Sequence, residues 1–278
     1  MNGARIAFWG PVHGQVATTS NMLAAATGLA ADYKSKKTLV THTHQSNTAL
    51  ETGYLKNHTL SENNFINFTD SGLDALARYA RSRKLEPSLI KDYTHHIFNQ
   101  LDLLYGTNKT DDDMESMIED IRVIIDKCRQ FYDFTFIDVN SGSQNKVTNA
   151  VLQHSDLIVV CLSQNITLLD RFFVKKEWDW LLEDKPYVVV VGQYDKDSHY
   201  SCTNIGRKYK YKGPLFTVPR CSHYLDAYNQ NSVAEFFMRN RNIDRRDEDY
   251  FFFTEVRRLI KGILSETGMT KLLSDRGA

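Results

Sequence analysis

Apolar residues fall into short, nearly continuous runs separated by segments with helical spacing. The runs RIAFWG (5–10), KTLVTHT (37–43), LDLLYG (101–106), FTFIDVN (134–140), DLIVVCLS (156–163), YVVVVGQY (187–194) and PLFTVPR (214–220) predict strands. FTFIDVN and DLIVVCLS are apolar on both faces, as in a sheet covered on both sides. TTSNMLAAATGLAADYKSK (18–36) predicts an Ala-rich helix capped by Thr or Ser. GLDALARYARSRK (72–84) and EPSLIKDYTHHIFN (86–99) predict two more, the second with Pro87 in its first turn. The clearest helix is DDDMESMIEDIRVIIDKCRQF (111–131). Met114, Met117 or Ile118, Ile121, Ile124 or Ile125, and Cys128 recur there at helical spacing, and its acidic start suits the positive end of the helix dipole. ITLLDRFFVKKEWDWLLE (166–183) predicts one helix, 203–210 a basic helical segment, 222–229 a short helix and 250–267 a long one. The polar stretch 44–70 predicts loops and short pieces.

This alternation predicts an α/β fold of three layers, a mostly parallel sheet with helices on both faces. No internal repeat, low-complexity segment or linker interrupts it, so a single domain over residues 1–278 is expected.

Composition changes little. Of 278 residues, 42% are apolar and 24% charged, enough to bury a full core. Thirty-four basic residues balance thirty-four acidic ones, which removes any overall electrostatic drive onto nucleic acid or acidic lipid but leaves local patches open. Cys128, Cys161, Cys202 and Cys221 form no CxxC pair, and buried free thiols in a reducing compartment are expected. The N-terminal apolar run is too short for a signal peptide, and no stretch reaches the length of a membrane span. The expected location is cytoplasmic.

Candidate chemistry sits first in FWGPVHGQVATTSNML (8–23), a strand, a Gly-bearing turn and a helix start. The first N–H groups of a helix lack internal partners and the dipole adds positive charge, so this layout makes an anion site from backbone alone. Thr18, Thr19 and Ser20 add hydroxyls where phosphates or a metal would sit. The second element is DFTFIDVNSG (133–142), with Asp138 at the end of a buried strand and Gly142 four residues on. That carboxylate suits Mg²⁺ held through water, and the glycine suits close backbone approach to a terminal phosphate. Each element alone is a common feature of α/β proteins.

In order and separation the two resemble the deviant-Walker ATPases of the MinD/ParA group, within the P-loop NTPases. HGQVATTS (13–20) aligns onto that family's K-G-G-x-G-K-T-T loop, TLVTHTHQSN (38–47) onto its D-x-D segment, and FTFIDVNSG onto its Asp-x-x-x-Gly switch. LDLLYG, VVVVGQYDKDS and LFTVPRCSHYLDAYNQNSVAEF match its later strands, where its base contacts lie. The resemblance implies a P-loop NTPase-like fold that binds ATP or ADP with Mg²⁺. It assigns nucleotide contacts to His13, Gly14, Gln15, Val16, Ala17, Thr18, Thr19, Ser20, Gly142, Gln193, Pro219 and Arg220, and the metal to Thr19 and Asp138. It also implies a homodimer and a protein partner in a larger assembly.

The departures from the family pattern decide the expected activity. His13 stands at the signature lysine, Thr18 at the lysine that bridges the terminal phosphates, and Ala17 at the preceding glycine. His42 and His44 occupy the two Asp positions of the D-x-D segment, one of which orients the attacking water. Losing a charged hydrogen bond to phosphate costs about 1.5–3 kcal/mol, which leaves micromolar binding within reach. Each missing transition-state stabiliser costs roughly a hundred- to a thousand-fold in rate. Nucleotide binding without efficient turnover is therefore expected, and no catalytic residue is assigned. An imidazole at position 13, with an ordinary pKa of about 6.5, would be charged more readily beside a triphosphate. A plain loop histidine is the alternative.

Further clusters leave other readings open. His42 and His44 on one strand face, with His95 and His96, suggest zinc but show no third ligand. Basic residues in MRNRNIDRR (238–246) and VRRLIKGIL (256–264) suggest DNA. The apolar face Val256, Leu259, Ile260, Ile263 and Leu264 suggests a membrane surface, with a helix packed on the core as the alternative. Three functions remain: a positioning protein, resembling the branch linked to Tad-type pilus localisation; a weak, partner-stimulated partitioning ATPase; and a nucleotide-free scaffold.

Overall fold

In the computed structural model, residues 3–44, 49–56, 72–107, 109, 113 and 115–271 are described. Eight strands form one sheet: β1 (Ala4–Trp9), β2 (Thr38–His42), β3 (His95–Phe98), β4 (Leu101–Leu103), β5 (Phe134–Asp138), β6 (Leu157–Leu162), β7 (Tyr187–Tyr194) and β8 (Leu215–Pro219). Their order is β3-β4-β2-β5-β1-β6-β7-β8, and only the β3–β4 pair is antiparallel. The central strands β1, β5 and β6 are buried almost throughout, which accounts for their continuous apolar runs.

The helices are α1 (Thr18–Asp32), α2 (Ala49–Tyr54), α3 (Gly72–Arg81), α4 (Ile118–Phe131), α5 (Lys146–His154), α6 (Ile166–Phe173), α7 (Asp179–Leu182), α8 (Cys202–Tyr209), α9 (Ser222–Asn229), α10 (Val233–Arg239) and α11 (Tyr250–Glu266). The chain leaves β1 towards β2 on one side, and leaves β5 across β1 towards β6 on the other. Right-handed crossovers then place α1 and α5 on opposite faces, so the expected three layers are present. Helix α1 packs against α2, α10 and α11, while α3 and α5 pack against α4. Every residue of α1 from Asn21 to Asp32 is buried, as its run of alanines allows.

Four expectations need correction. The segment 86–99 is not one helix. A 3₁₀ helix over Pro87–Tyr93 gives way to β3, and Asn99, with φ 49°, turns the chain into β4. The pairing available at the sheet edge outweighs the short helical pattern, and the Asn-Gln connection is a two-residue hairpin. The segment 166–183 is also broken. Helix α6 ends at Phe173, Lys176 adopts φ 53°, and Trp178 is buried against Phe172 and Trp9. Burying that indole offsets the lost helical turns. The first helix begins after Ala17 in a left-handed conformation (φ 53°, ψ 39°), and no Thr or Ser side chain caps it. Finally, α5 and α10 arise where no helix is expected, α5 capped by the Asn145 side chain accepting from the Thr148 amide. Residues 45–48 and 57–70 of the polar stretch, and Asp111, Asp112 and Met114 of the acidic helix start, lie outside the described residues.

Candidate functional site

The loop between β1 and α1 leaves the sheet at its carboxyl edge, beside the end of β5. Strand β5 separates β1 from β2, so the crevice where ligands bind in open α/β sheets opens here. Gly10 permits the loop to fold over itself: a Cβ there would lie 2.4 Å from Val16 Cγ2 and 2.6 Å from Thr18 Oγ1. Asn21 Nδ2 donates to the Val16 carbonyl at 3.1 Å and holds the turn from inside. Gly192 lets the end of β7 press against the same spot, since a Cβ there would meet Asn21 Nδ2 at 2.6 Å and the Val16 carbonyl at 2.8 Å. The result is a helix start with no side-chain cap, aimed into a cavity.

That cavity has a volume of about 620 Å³, within the range of small-molecule sites. His13, Gly14, Val16, Ala17, Thr18, Thr19 and Ser20 line it, together with Asp138, Gln193, Pro219 and Arg220. Of the expected nucleotide contacts, Gln15 is exposed and lies outside its lining, and Gly142 lines an adjoining cleft instead. The Gly142 N–H donates to the Gly10 carbonyl at 3.0 Å, and its carbonyl accepts from Trp9 Nε1 at 2.8 Å. Its amide is thus occupied by the loop rather than presented to a phosphate.

At one end of the cavity, Thr19 Oγ1 donates to Asp138 Oδ2 at 2.5 Å. Asp138 is fully buried, and its Oδ1 has no hydrogen-bond partner among the described residues. A hydroxyl and a carboxylate with unclaimed lone pairs form a hard-oxygen donor set that fits Mg²⁺. His44 Nε2 lies 3.5 Å from Asp138 Oδ2. Burial opposes charge on this imidazole, but Asp138, with Asn140 and Glu51, outweighs that and raises its pKa above the ordinary value.

The two histidines of THTH have different partners. His42 is fully buried, with Nε2 2.5 Å from Glu51 Oε1, and its Nδ1 accepts from the His44 amide at 3.2 Å. An accepting Nδ1 leaves the proton on Nε2, donated to Glu51. His95 and His96 sit on β3, where His96 Nδ1 lies 2.9 Å from Asp102 Oδ1. The zinc reading therefore finds no common centre: among the described residues, no group of three His, Cys, Asp or Glu is placed to hold a metal.

At the other end of the cavity the resemblance placed base contacts within 215–236 but named only Pro219 and Arg220 there. Cys221, Tyr224, Leu225 and Tyr228 line it from α9 and its cap. Their spacing of three, one and three along CSHYLDAYN is one helix face, a signal the sequence did carry. Tyr224 Oη donates to the Ser20 carbonyl at 2.8 Å, and Tyr228 Oη lies 3.0 Å from Thr52 Oγ1, so α9 is tied to both α1 and α2.

The suspected interaction surfaces resolve differently. Val256, Leu259, Ile260, Ile263 and Leu264 are all buried in the core, so α11 offers that face to no membrane. No helix among the described residues is long and apolar enough to cross one. In the basic run, Arg245 and Arg246 are exposed, while the Arg241 carbonyl accepts from Arg257, which also pairs with Asp32.

A mostly parallel sheet with an uncapped loop-to-helix turn at its centre and an acid at the neighbouring strand end is a P-loop NTPase-like fold. Solved structures share this fold. The chain resembles a ParA family ATPase from Chlorobium tepidum TLS (TM-score 0.70, 13% identity, covering 93% of this chain and 98% of that one). It resembles a plasmid partition protein from Borrelia burgdorferi B31 bound to AMPPNP (0.66, 14%, 95% and 99%). It also resembles the septum site-determining protein MinD complexed with Mg-ADP from Pyrococcus horikoshii OT3 (0.64, 13%, 95% and 98%). No family model matches the sequence, and no curated protein matches it. The chain therefore has the fold of the ParA and MinD ATPases, at a sequence distance where only the fold is shared evidence.

Proposed function

We propose that this protein binds ATP or ADP with Mg²⁺, hydrolyses it slowly or not at all, and positions or regulates a larger assembly, as in partitioning or pilus localisation. The observation that carries this reading is the cavity: an open helix N-terminus, the Thr19–Asp138 pair and an apolar far end, with no lysine among its lining residues. The α1 N–H groups and the Ser20 hydroxyl hold phosphates, the Thr18 hydroxyl being turned under the loop towards Gly10 and Cys161, while Cys221, Leu225 and Tyr228 hold the base. Thr19 and Asp138 would hold Mg²⁺, which neutralises phosphate charge when bound.

Turnover is limited by what the lining lacks. Among the described residues its only carboxylate is Asp138, buried and engaged with Thr19, so none of them offers a free acid to orient a water. Histidines stand where the family pattern has acids. The AMPPNP and Mg-ADP in structures of this fold support the ligand class, and their partition and septum-site roles support a positioning role here. Homodimerisation driven by nucleotide and engagement of a protein partner belong to the same reading.

Calorimetric titration of ATP with Mg²⁺ into the full chain, paired with phosphate-release kinetics, tests it. Micromolar binding is expected, with a rate at least about a hundred-fold below that of lysine-bearing ATPases of this fold. Turnover restored by DNA or a partner would favour a weak partitioning ATPase. No binding of either nucleotide would leave a scaffold.

A further inference from the structure

A second cleft, of about 680 Å³, adjoins the nucleotide cavity, and His13, His44 and Ser141 line both. Its remaining walls are Pro11, amides, hydroxyls, Gly142, Trp178 and Arg171, with no carboxylate lining it among the described residues. The cleft therefore presents hydrogen-bond donors rather than a net charge, since Glu177 pairs with its arginine. Among the described residues, Arg171 is its only permanently charged lining group.

The guanidinium is held in place. Arg171 Nε and Nη2 lie 2.9 Å and 2.7 Å from Glu177 Oε2, and its Cζ lies 4.8 Å from the Trp178 ring centroid. Trp178 is buried edge-on against Trp9, whose indole N–H donates to the Gly142 carbonyl. Arg171 is thus tied through two indoles to the backbone that carries the loop. Glu177 takes one edge of the guanidinium; of its five N–H donors, those on Nη1 have no partner among the described residues.

We propose that Arg171 recognises the terminal phosphate of a nucleoside triphosphate and so makes the site prefer triphosphate over diphosphate where the loop has no lysine. This rests on the nucleotide-binding reading above. With the base against α9 and two phosphates on the α1 N-terminus, a third phosphate extends to the boundary marked by His13 and His44, facing the cleft. Because Glu177 offsets the charge at a distance, recognition is by short-range donation from Nη1, and a diphosphate does not reach it.

The test compares AMPPNP and ADP affinities, with Mg²⁺, for the full chain and three variants by calorimetry. Arg171→Gln is expected to weaken AMPPNP about tenfold, at the lower end for a charged hydrogen bond, while ADP stays within about twofold. Arg171→Lys, which keeps the charge and loses the planar donors, is expected to weaken AMPPNP about threefold, and it serves if the Gln variant melts early. Lys175→Gln, at an exposed neighbour outside the cleft, is expected to change neither ligand. An unchanged AMPPNP-to-ADP ratio in the Arg171 variants overturns the proposal, as does an equal fall for both ligands, and in either case nucleotide binding by the parent chain stands. If the parent binds neither ligand, the nucleotide reading fails and takes this one with it.

Discussion

At the loop end of the cavity the walls are backbone and small side chains, held between β1, β5 and α1 by Gly10, Asn21 and Gly192. At the α9 end they are side chains, with Tyr224 and Tyr228 tying α9 to α1 and α2 and Leu225 left 54% exposed. The first end depends on conformation: the groups it offers an anion are backbone N–H dipoles, which every side chain but proline leaves in place, and Asp138 is its one buried carboxylate among the described residues. The second depends on residue identity and can change without disturbing the loop. A fold that separates the two in this way can carry a loop without lysine and still form the cavity.

The largest effect is expected at Asp138. Asp138→Asn keeps an acceptor for Thr19 but removes the charge that would face Mg²⁺. Nucleotide affinity with Mg²⁺ should fall by about ten- to a hundred-fold, equivalent to about 1.5–3 kcal/mol, and become insensitive to EDTA. Tripolyphosphate, which has no base, should lose as much as ATP. If the variant retains the metal dependence of the parent, the loop end is not where the metal binds.

A smaller effect separates the ends from the other side. Leu225→Ser removes apolar contact worth about 1 kcal/mol, so ATP should bind about three- to fivefold more weakly while tripolyphosphate is unaffected. Equal losses for both ligands in parallel titrations would erase the distinction between the two ends.

The smallest effect lies on the outer face of α9. Hydrogen bonding to Asp249, then the charges of Asp249 and Glu248, raise the His223 pKa above its ordinary value. A folded-state pKa above the unfolded one contributes stability that is complete below about pH 6.5 and fades as pH rises through the raised value. Denaturant midpoints between pH 5.5 and 8 should therefore decline slightly more steeply for the parent than for His223→Gln. Identical slopes would show that the pair does not anchor α9 to α11.

Much of this was legible in the sequence because it is local. The apolar runs of β1 and β7 mark strands, those of β5 and β6 mark strands buried on both faces, and the turn before Thr18 marks a helix start without reference to anything distant. Asp138 was legible because it ends such a run. The failures concern choices made by contact. THHIF reads as the end of a helix until β4 offers it an edge to pair with. VKKEW contains no helix breaker, and only the place for Trp178 beside Trp9 stops α6 at Phe173.

The sequence by itself determined the layered α/β class, the lysine-free loop and the acid beside it, because periodicity and residue identity are properties of neighbouring positions. Only the tertiary structure decided that His42 turns to Glu51 while His44 turns to Asp138, that Gly142 spends its amide on Gly10, and that Arg171 shares a cleft with His13. Those outcomes depend on which of several partners, up to more than a hundred residues away, can reach a group once the core has packed. Composition and spacing do not contain that competition.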